Sequence, residues 1–196
     1  MKVLEHGGRI GRTLLFLPCT AEPVWAFAET IALLSEQWHV FQVVFDGHEP
    51  EEPGDFTSVE QTVDEVTAHL KAHGIARLDA AYGCSLGGSF VGLLAARGNI
   101  HMDYGILGSS DLDQASPIAA KLQTNLLLPL IYPFIRDGRF KSRLLQKRLT
   151  QRKSEMGGYV QAFMEMLGGA RPYVTVQSCK NQFYSDLVTP LPDKIN

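Results

Sequence analysis

Residues 83–88 read Gly-Cys-Ser-Leu-Gly-Gly, a Gly-x-Ser-x-Gly pattern followed by one further glycine. The bare pattern is a weak signal. Its position is more specific, because an apolar run at 78–82 comes directly before it and a helix-like run at 86–97 directly after it. A serine on a sharp strand-to-helix turn has strained backbone angles and needs small neighbours, and the three glycines provide them. We therefore predict that Ser85 lies exposed above a sheet as a nucleophile.

The first part of the chain alternates strand-like and helix-like segments. This order predicts the α/β class, with a mostly parallel sheet flanked by helices on both faces and the 78–82 strand in its interior. Strands are predicted at 13–17, 39–45, 78–82 and 102–107. Helices are predicted at 24–37, 58–73 and 86–97.

The pattern changes near residue 114. Residues 117–135 are strongly apolar, a basic stretch follows, and no strand alternation returns before a short segment at 173–176. We therefore divide the chain into a core at 1–113, a helical lid insertion at 114–172 and a segment at 173–196 that returns to the core.

Composition limits the class of protein. The chain has 196 residues with 45% hydrophobic and 20% charged content, enough for one sizeable core. We find no apolar stretch of about 18 residues and expect no membrane span. The three cysteines are Cys19, Cys84 and Cys179, which are far apart in sequence and form no Cys-x-x-Cys pair. They indicate neither a disulfide framework nor a zinc site, and a reducing cytoplasm is the expected compartment.

Charge is concentrated in one run. Eight basic residues lie between Arg136 and Lys153. Such a run is typical of a solvated helix face, and the alternative is attraction of an anionic substrate or surface. We expect no nucleic-acid partner, because the run lacks interleaved aromatic residues and any known binding motif.

With these motifs in place, residues 10–112 resemble the α/β-hydrolase superfamily in strand order and in the position of the Gly-x-Ser-x-Gly turn. The resemblance implies that the N–H of Leu86, next to the nucleophile, donates to the oxyanion. The second donor in the family follows a His-Gly-x turn, and Pro18-Cys19-Thr20 occupies that place here. Thr20 is therefore implied as the second donor, with Cys19 as the next choice. No cofactor and no metal are implied.

The catalytic base and acid are harder to assign. The family carries them on loops after its last two strands, but this sequence has no histidine after His101 and ends where a further strand would begin. We expect the chain to lack the C-terminal part of the fold. His48 is the histidine that follows a strand at the functional edge, so it is the candidate base, or otherwise a loop histidine. Asp111 is the candidate acid, or otherwise a loop or helix-capping residue.

The sequence thus predicts a serine hydrolase that acts on a small-molecule carboxylic ester or related acyl substrate through a Ser85 acyl-enzyme. The alternative is a non-catalytic binding or interaction protein of the same fold. If the last strands are absent, the strand at 102–107 becomes a sheet edge. We then expect a homo-oligomer through that edge, strand exchange, or coverage of the edge by residues 170–196.

Overall fold

A five-stranded sheet organises the chain in a computed structural model, which describes residues 1–9, 11–49, 53–110, 112–137, 142–144, 147–148 and 173–192. The strands are β1 (Lys2–His6), β2 (Arg12–Leu17), β3 (Trp38–Val44), β4 (Arg77–Cys84) and β5 (His101–Gly108). Their order is β1-β3-β2-β4-β5, with β1 antiparallel to β3 and every other pair parallel. The predicted mostly parallel sheet is confirmed, and β4 is an interior strand. Strand β1 was not predicted, because its sequence Lys-Val-Leu-Glu-His has little apolar alternation.

The helices are α1 (Ala28–Leu34), α2 (Val59–Ala72), α3 (Leu86–Arg97), α4 (Pro117–Asp137) and α5 (Val176–Val188). Helix α2 begins after Ser58, whose side chain accepts a hydrogen bond from the Gln61 N–H. Helix α1 is shorter than predicted, because residues 24–27 form turns. The predicted strand at 173–176 is wrong. Val176 instead begins α5, and the Thr175 hydroxyl caps that helix by accepting from the Ser178 N–H.

The sheet separates two cores and so forms three layers. Alternate residues of β2 point to opposite faces. Leu15 and Leu17 pack with α2 and α3, whereas Leu14 and Phe16 pack with Ile31 of α1. Four apolar side chains of α2 at helical spacing are buried in this core; they are Val59, Val63, Val66 and Leu70. This sandwich fixes the carboxyl ends of β2, β3 and β4 along one edge of the sheet.

Helices α4 and α5 pack on each other around Leu128, Phe134 and Cys179. Helix α4 lies inside the predicted lid at 114–172, about half of which is outside the described residues, and the lid stays a prediction. By length and composition α4 could cross a membrane: it has 21 residues and a mean hydropathy of 1.3. Only 33% of its apolar window is buried inside the protein, and a single helix of this length and composition is weak evidence for a membrane span. Residues 117–135 were recognised from the sequence as strongly apolar, but the expectation that the chain has no apolar stretch of about 18 residues was wrong.

Strand β5 pairs only with β4 and forms one edge of the sheet in the described part of the chain. Three of its large side chains are exposed, led by Tyr104 at 71% of its surface, with Ile106 and Leu107 after it. The described residues of the C-terminal segment form α5, which packs on α2, α3 and α4.

Candidate active site

Ser85 lies at the junction between β4 and α3. Its φ is 50° and its ψ is −116°, a conformation that few residues other than glycine adopt and that costs about 1–3 kcal/mol. The Ser85 N–H donates to the carbonyl of Gly108 on β5 at 2.7 Å, which helps to hold the turn. The residue is exposed, and no described side chain hydrogen-bonds to its hydroxyl. Ser85 therefore presents its Oγ to solvent at the carboxyl edge of the sheet.

The three glycines around Ser85 are required by close approach. A Cβ on Gly83 would lie 2.0 Å from the carbonyl oxygen of Gly87. A Cβ on Gly87 would lie 2.5 Å from the carbonyl oxygen of Leu17, and one on Gly88 would lie 2.2 Å from the Ser110 hydroxyl. Two of these contacts are with backbone, which cannot rotate away. The first turn of α3 is therefore pressed against the ends of both β2 and β5.

This packing brings the predicted oxyanion donors to one edge. Leu86 begins α3, and N–H groups in the first turn of a helix have no partner within the helix. Thr20 follows β2, whose last residue, Leu17, pairs with Gly83 in the sheet. The turn after β2 contains Ala21 in the left-handed conformation, with φ 55°. Leu86 and Thr20 thus lie in neighbouring segments at the carboxyl ends of adjacent strands.

Cys19, the other candidate donor, is already bonded. Its N–H donates to Oε2 of Glu22 at 2.8 Å. Glu22 is 4% exposed, and burial raises the pKa of its carboxyl to about 7. The sequence analysis missed Glu22, because an isolated Glu-Pro before a helix carries no signal for a buried acid. A titratable carboxyl therefore lies directly behind the turn that would hold the oxyanion.

The structure also brings together two cysteines that are distant in sequence. The thiols of Cys19 and Cys84 interact with each other, the Tyr82 hydroxyl interacts with Cys84, and the Cys19 Sγ also donates to the Thr20 carbonyl at 3.7 Å. The interactions with Cys19 and Tyr82 lower the pKa of Cys84 to about 6, against the opposing effect of burial. The pKa of the Cys19 thiol is raised, because it interacts with Cys84 and because it is buried. A thiolate is thus favoured at the residue immediately before Ser85.

His48, the candidate base, is 4% exposed in the loop after β3. Its Nδ1 donates to the Asp46 carbonyl at 3.0 Å, and its Nε2 accepts from the Gln182 amide at 3.1 Å. Burial lowers the pKa of the imidazole. The structure does not bring His48 into hydrogen-bonding contact with Ser85. Its role as the base stays a prediction, and the hydrogen bonds to Asp46 and Gln182 do not favour it.

Asp111, the candidate acid, lies outside the described residues, and its role stays a prediction.

A different carboxylate contacts α3 one turn after Ser85. Asp186 of α5 accepts a hydrogen bond from the buried Ser89 hydroxyl at 2.6 Å. This contact ties α5 to the helix that carries the candidate nucleophile.

No protein-family model and no curated protein matches the chain. Solved structures do match it. An α/β-hydrolase family protein from Desulfitobacterium hafniense has a TM-score of 0.75 and 18% identity, over 95% of this chain and 72% of its own. A carboxylesterase of the thaumarchaeon Nitrososphaera gargenis has a TM-score of 0.67 and 14% identity, over 96% and 68%. The enol-lactonase from Burkholderia xenovorans has a TM-score of 0.55 and 19% identity, over 95% and 71%. At these identities the likeness concerns the fold alone: the chain has the α/β-hydrolase fold.

Proposed function

We propose that this protein is a serine hydrolase that cleaves a carboxylic ester or a related acyl substrate through a covalent intermediate on Ser85. The observation that carries the proposal is the backbone of Ser85, an exposed serine with φ 50° between β4 and α3. Strain of this kind persists only where the surrounding structure imposes it, and it is concentrated at functional sites. An ordinary turn at this position would need neither the strain nor three tightly packed glycines.

The proposed reaction has two steps. Ser85 Oγ attacks the acyl carbon, the carbonyl oxygen becomes an oxyanion, and the alcohol leaves with a proton to give the acyl-enzyme. Water then attacks the same carbon, the bond between that carbon and the Ser85 Oγ breaks, the carboxylic acid leaves, and a proton from the water restores the Ser85 hydroxyl. The N–H groups of Leu86 and Thr20 would stabilise the oxyanion in both steps. Cys19 is the weaker candidate for this role, because its N–H already donates to Glu22.

The similar solved structures support the proposal through the enzyme classes to which those proteins belong. They include a carboxylesterase, an enol-lactonase and an enzyme that degrades N-acyl homoserine lactones. Esters and lactones share an acyl carbon bonded to a leaving oxygen, so one nucleophile and one oxyanion site suit both. Within this class, we propose the carboxylesterase type.

A second candidate is a non-catalytic protein of the same fold that binds a ligand or a partner. One specific observation favours it: no described side chain contacts the Ser85 hydroxyl, and both nitrogens of His48 are bonded elsewhere. A serine hydroxyl is a poor nucleophile without an adjacent base.

A serine-directed fluorophosphonate probe tests the proposal. We expect slow labelling of the 196-residue chain at Ser85, because no base contacts its hydroxyl in the described residues. Labelling and hydrolysis of a p-nitrophenyl ester should both be absent in Ser85→Ala and unchanged in Ser35→Ala, which alters the serine that follows α1. Absence of labelling in the unaltered chain favours the non-catalytic candidate. Activity that survives Ser85→Ala removes the proposal.

The same assays test the base. His48→Gln keeps an acceptor near Gln182 but removes a titratable group. Loss of ester hydrolysis in a folded His48→Gln variant would assign the base to His48, because loss of the base costs about as much activity as loss of the serine. Unchanged hydrolysis would leave His48 with the loop contacts that the structure shows.

A further inference from the structure

Three potential metal ligands converge far from Ser85. Glu5 lies on β1, and His69 and His73 lie four residues apart at the end of α2, so that both face the same side of the helix. One ligand atom from each residue lies within 4.8 Å of the other two. The Glu5 Oε1 and His73 Nε2 atoms are 3.6 Å apart, and the centroids of the two imidazole rings are 4.2 Å apart.

Hydrogen bonds orient two of these ligands. The His73 Nδ1 donates to the His69 carbonyl oxygen at 2.8 Å, which leaves Nε2 as the ring nitrogen that faces Glu5. His39 Nε2 donates to the other oxygen of Glu5, Oε2, at 3.0 Å. Metal-binding histidines and carboxylates are commonly held in this way by a second set of hydrogen bonds.

The remaining ligand has an unsatisfied atom. The Nε2 of His69 is buried and has no hydrogen-bond partner among the described residues. A buried polar atom without a partner is costly, and most such atoms in proteins are paired. A bound cation would satisfy it.

We propose that Glu5, His69 and His73 bind one divalent transition-metal ion of the Zn²⁺ type. In tetrahedral zinc sites, bonds of about 2.1 Å place the ligand atoms about 3.4 Å apart. The Glu5–His73 distance already matches, and the set needs to contract by at most about 1.4 Å. Two imidazoles and one carboxylate are ligands that suit zinc, and water would occupy the fourth position.

The position of the site separates it from the Ser85 chemistry. Helix α2 ends just before β4 begins at Arg77, whereas Ser85 follows the last residue of β4. Eight strand residues separate the two ends, about 26 Å. Strand β1 pairs only with β3, so an ion here would connect this edge strand to α2. The sequence analysis implied no metal, because it tested the cysteines and the Glu5 ligand is remote in sequence from the histidines.

Titration of the full chain with ZnCl₂, followed by calorimetry and by thermal unfolding, tests the proposal. We expect one Zn²⁺ per chain and a rise in Tm of about 5–10 °C when free zinc is 100-fold above Kd. His69→Ala and His73→Ala should each weaken binding at least tenfold, as even the loss of an outer-shell partner does. His101→Ala, an exposed histidine on β5, and Cys19→Ser/Cys84→Ser should bind like the unaltered chain.

Circular dichroism without metal establishes that each variant is folded. Should a single histidine variant fail to fold, Glu5→Gln replaces it, since glutamine keeps the shape of the side chain and loses the charge. The proposal is overturned if the unaltered chain binds no zinc. It is equally overturned if binding survives in both histidine variants, or if it is lost in Cys19→Ser/Cys84→Ser and kept in His69→Ala.

Discussion

Replacing Glu22 by glutamine should stabilise the protein at alkaline pH. Glu22 is buried behind the turn that follows β2, and its Oε2 accepts from the Cys19 N–H. Glutamine has nearly the same shape, and its amide oxygen can accept the same hydrogen bond. The substitution therefore removes an ionisable group from a buried site while it keeps the main contact.

The size of the effect follows from the pKa of Glu22, which burial raises from 4.5 to about 7. The folded protein holds this proton more tightly than the unfolded chain does. The carboxyl therefore lowers the free energy of unfolding progressively as pH rises from 4.5 to 7, and by a constant amount above 7. At pH 8 the loss is about 3 kcal/mol, and at pH 5 it is about 1 kcal/mol.

Urea unfolding of the unaltered chain and of Glu22→Gln, at pH 5 and pH 8, measures this difference. We expect the variant to gain about 3 kcal/mol at pH 8 and about 1 kcal/mol at pH 5. Glu36→Gln is the matched control, because Glu36 is exposed and should change little at either pH. A gain for Glu22→Gln that is the same at both pH values, or a loss at pH 8, would refute the reasoning that burial of the charge dominates at this site.

Three further predictions concern the thiols, the glycines and the sheet edge. At pH 7.5 iodoacetamide should alkylate Cys84 well before Cys179, because the pKa of Cys84 is lowered to about 6 and burial raises the pKa of Cys179 to about 12. Equal alkylation rates of the two cysteines in peptide mass mapping would contradict this. Gly83→Ala should lose several kcal/mol of stability in urea unfolding, since its Cβ would lie 2.0 Å from a backbone oxygen, whereas Gly8→Ala has open space and should be nearly neutral. The exposed β5 edge should pair with a second copy of the chain, and Ile106→Lys should reduce that self-association in light scattering; a monomer at high concentration before substitution would exclude it.

The sequence predicted the interior of the fold well. Strands β2 to β4 and helix α2 bury enough apolar side chains at regular spacing for periodicity to locate them, and the Ser85 turn identifies where β4 ends. Strand β5 was located from its apolar sequence after α3, although none of its side chains is fully buried. Strand β1 could not be found in this way. Its place depends on antiparallel pairing with β3 and on the contact between Glu5 and His39, both of which involve residues far away in sequence.

The site was predictable only in part. Glycine spacing indicates the strained turn, because the clash of a Cβ at Gly83 is with a residue four positions later. Glu22 and the pairing of Cys19 with Cys84 gave no such signal. Their environment depends on β2 and β4 being neighbours, so that turns about 65 residues apart in sequence lie against each other.

Gln182 shows how a remote helix determines the chemistry at this edge. It lies on α5, is fully buried, and joins two loops: its Oε1 accepts from the Ala21 N–H at 2.9 Å and its Nε2 donates to His48 at 3.1 Å. The first bond fixes the turn that carries Thr20. The second occupies the lone pair that His48 would need as a base. For His48 to take a proton from Ser85, the Gln182 amide would have to give up that acceptor inside the protein, at a cost of about 1–3 kcal/mol. The same side chain thus supports the proposed oxyanion site and opposes the use of His48 as the base.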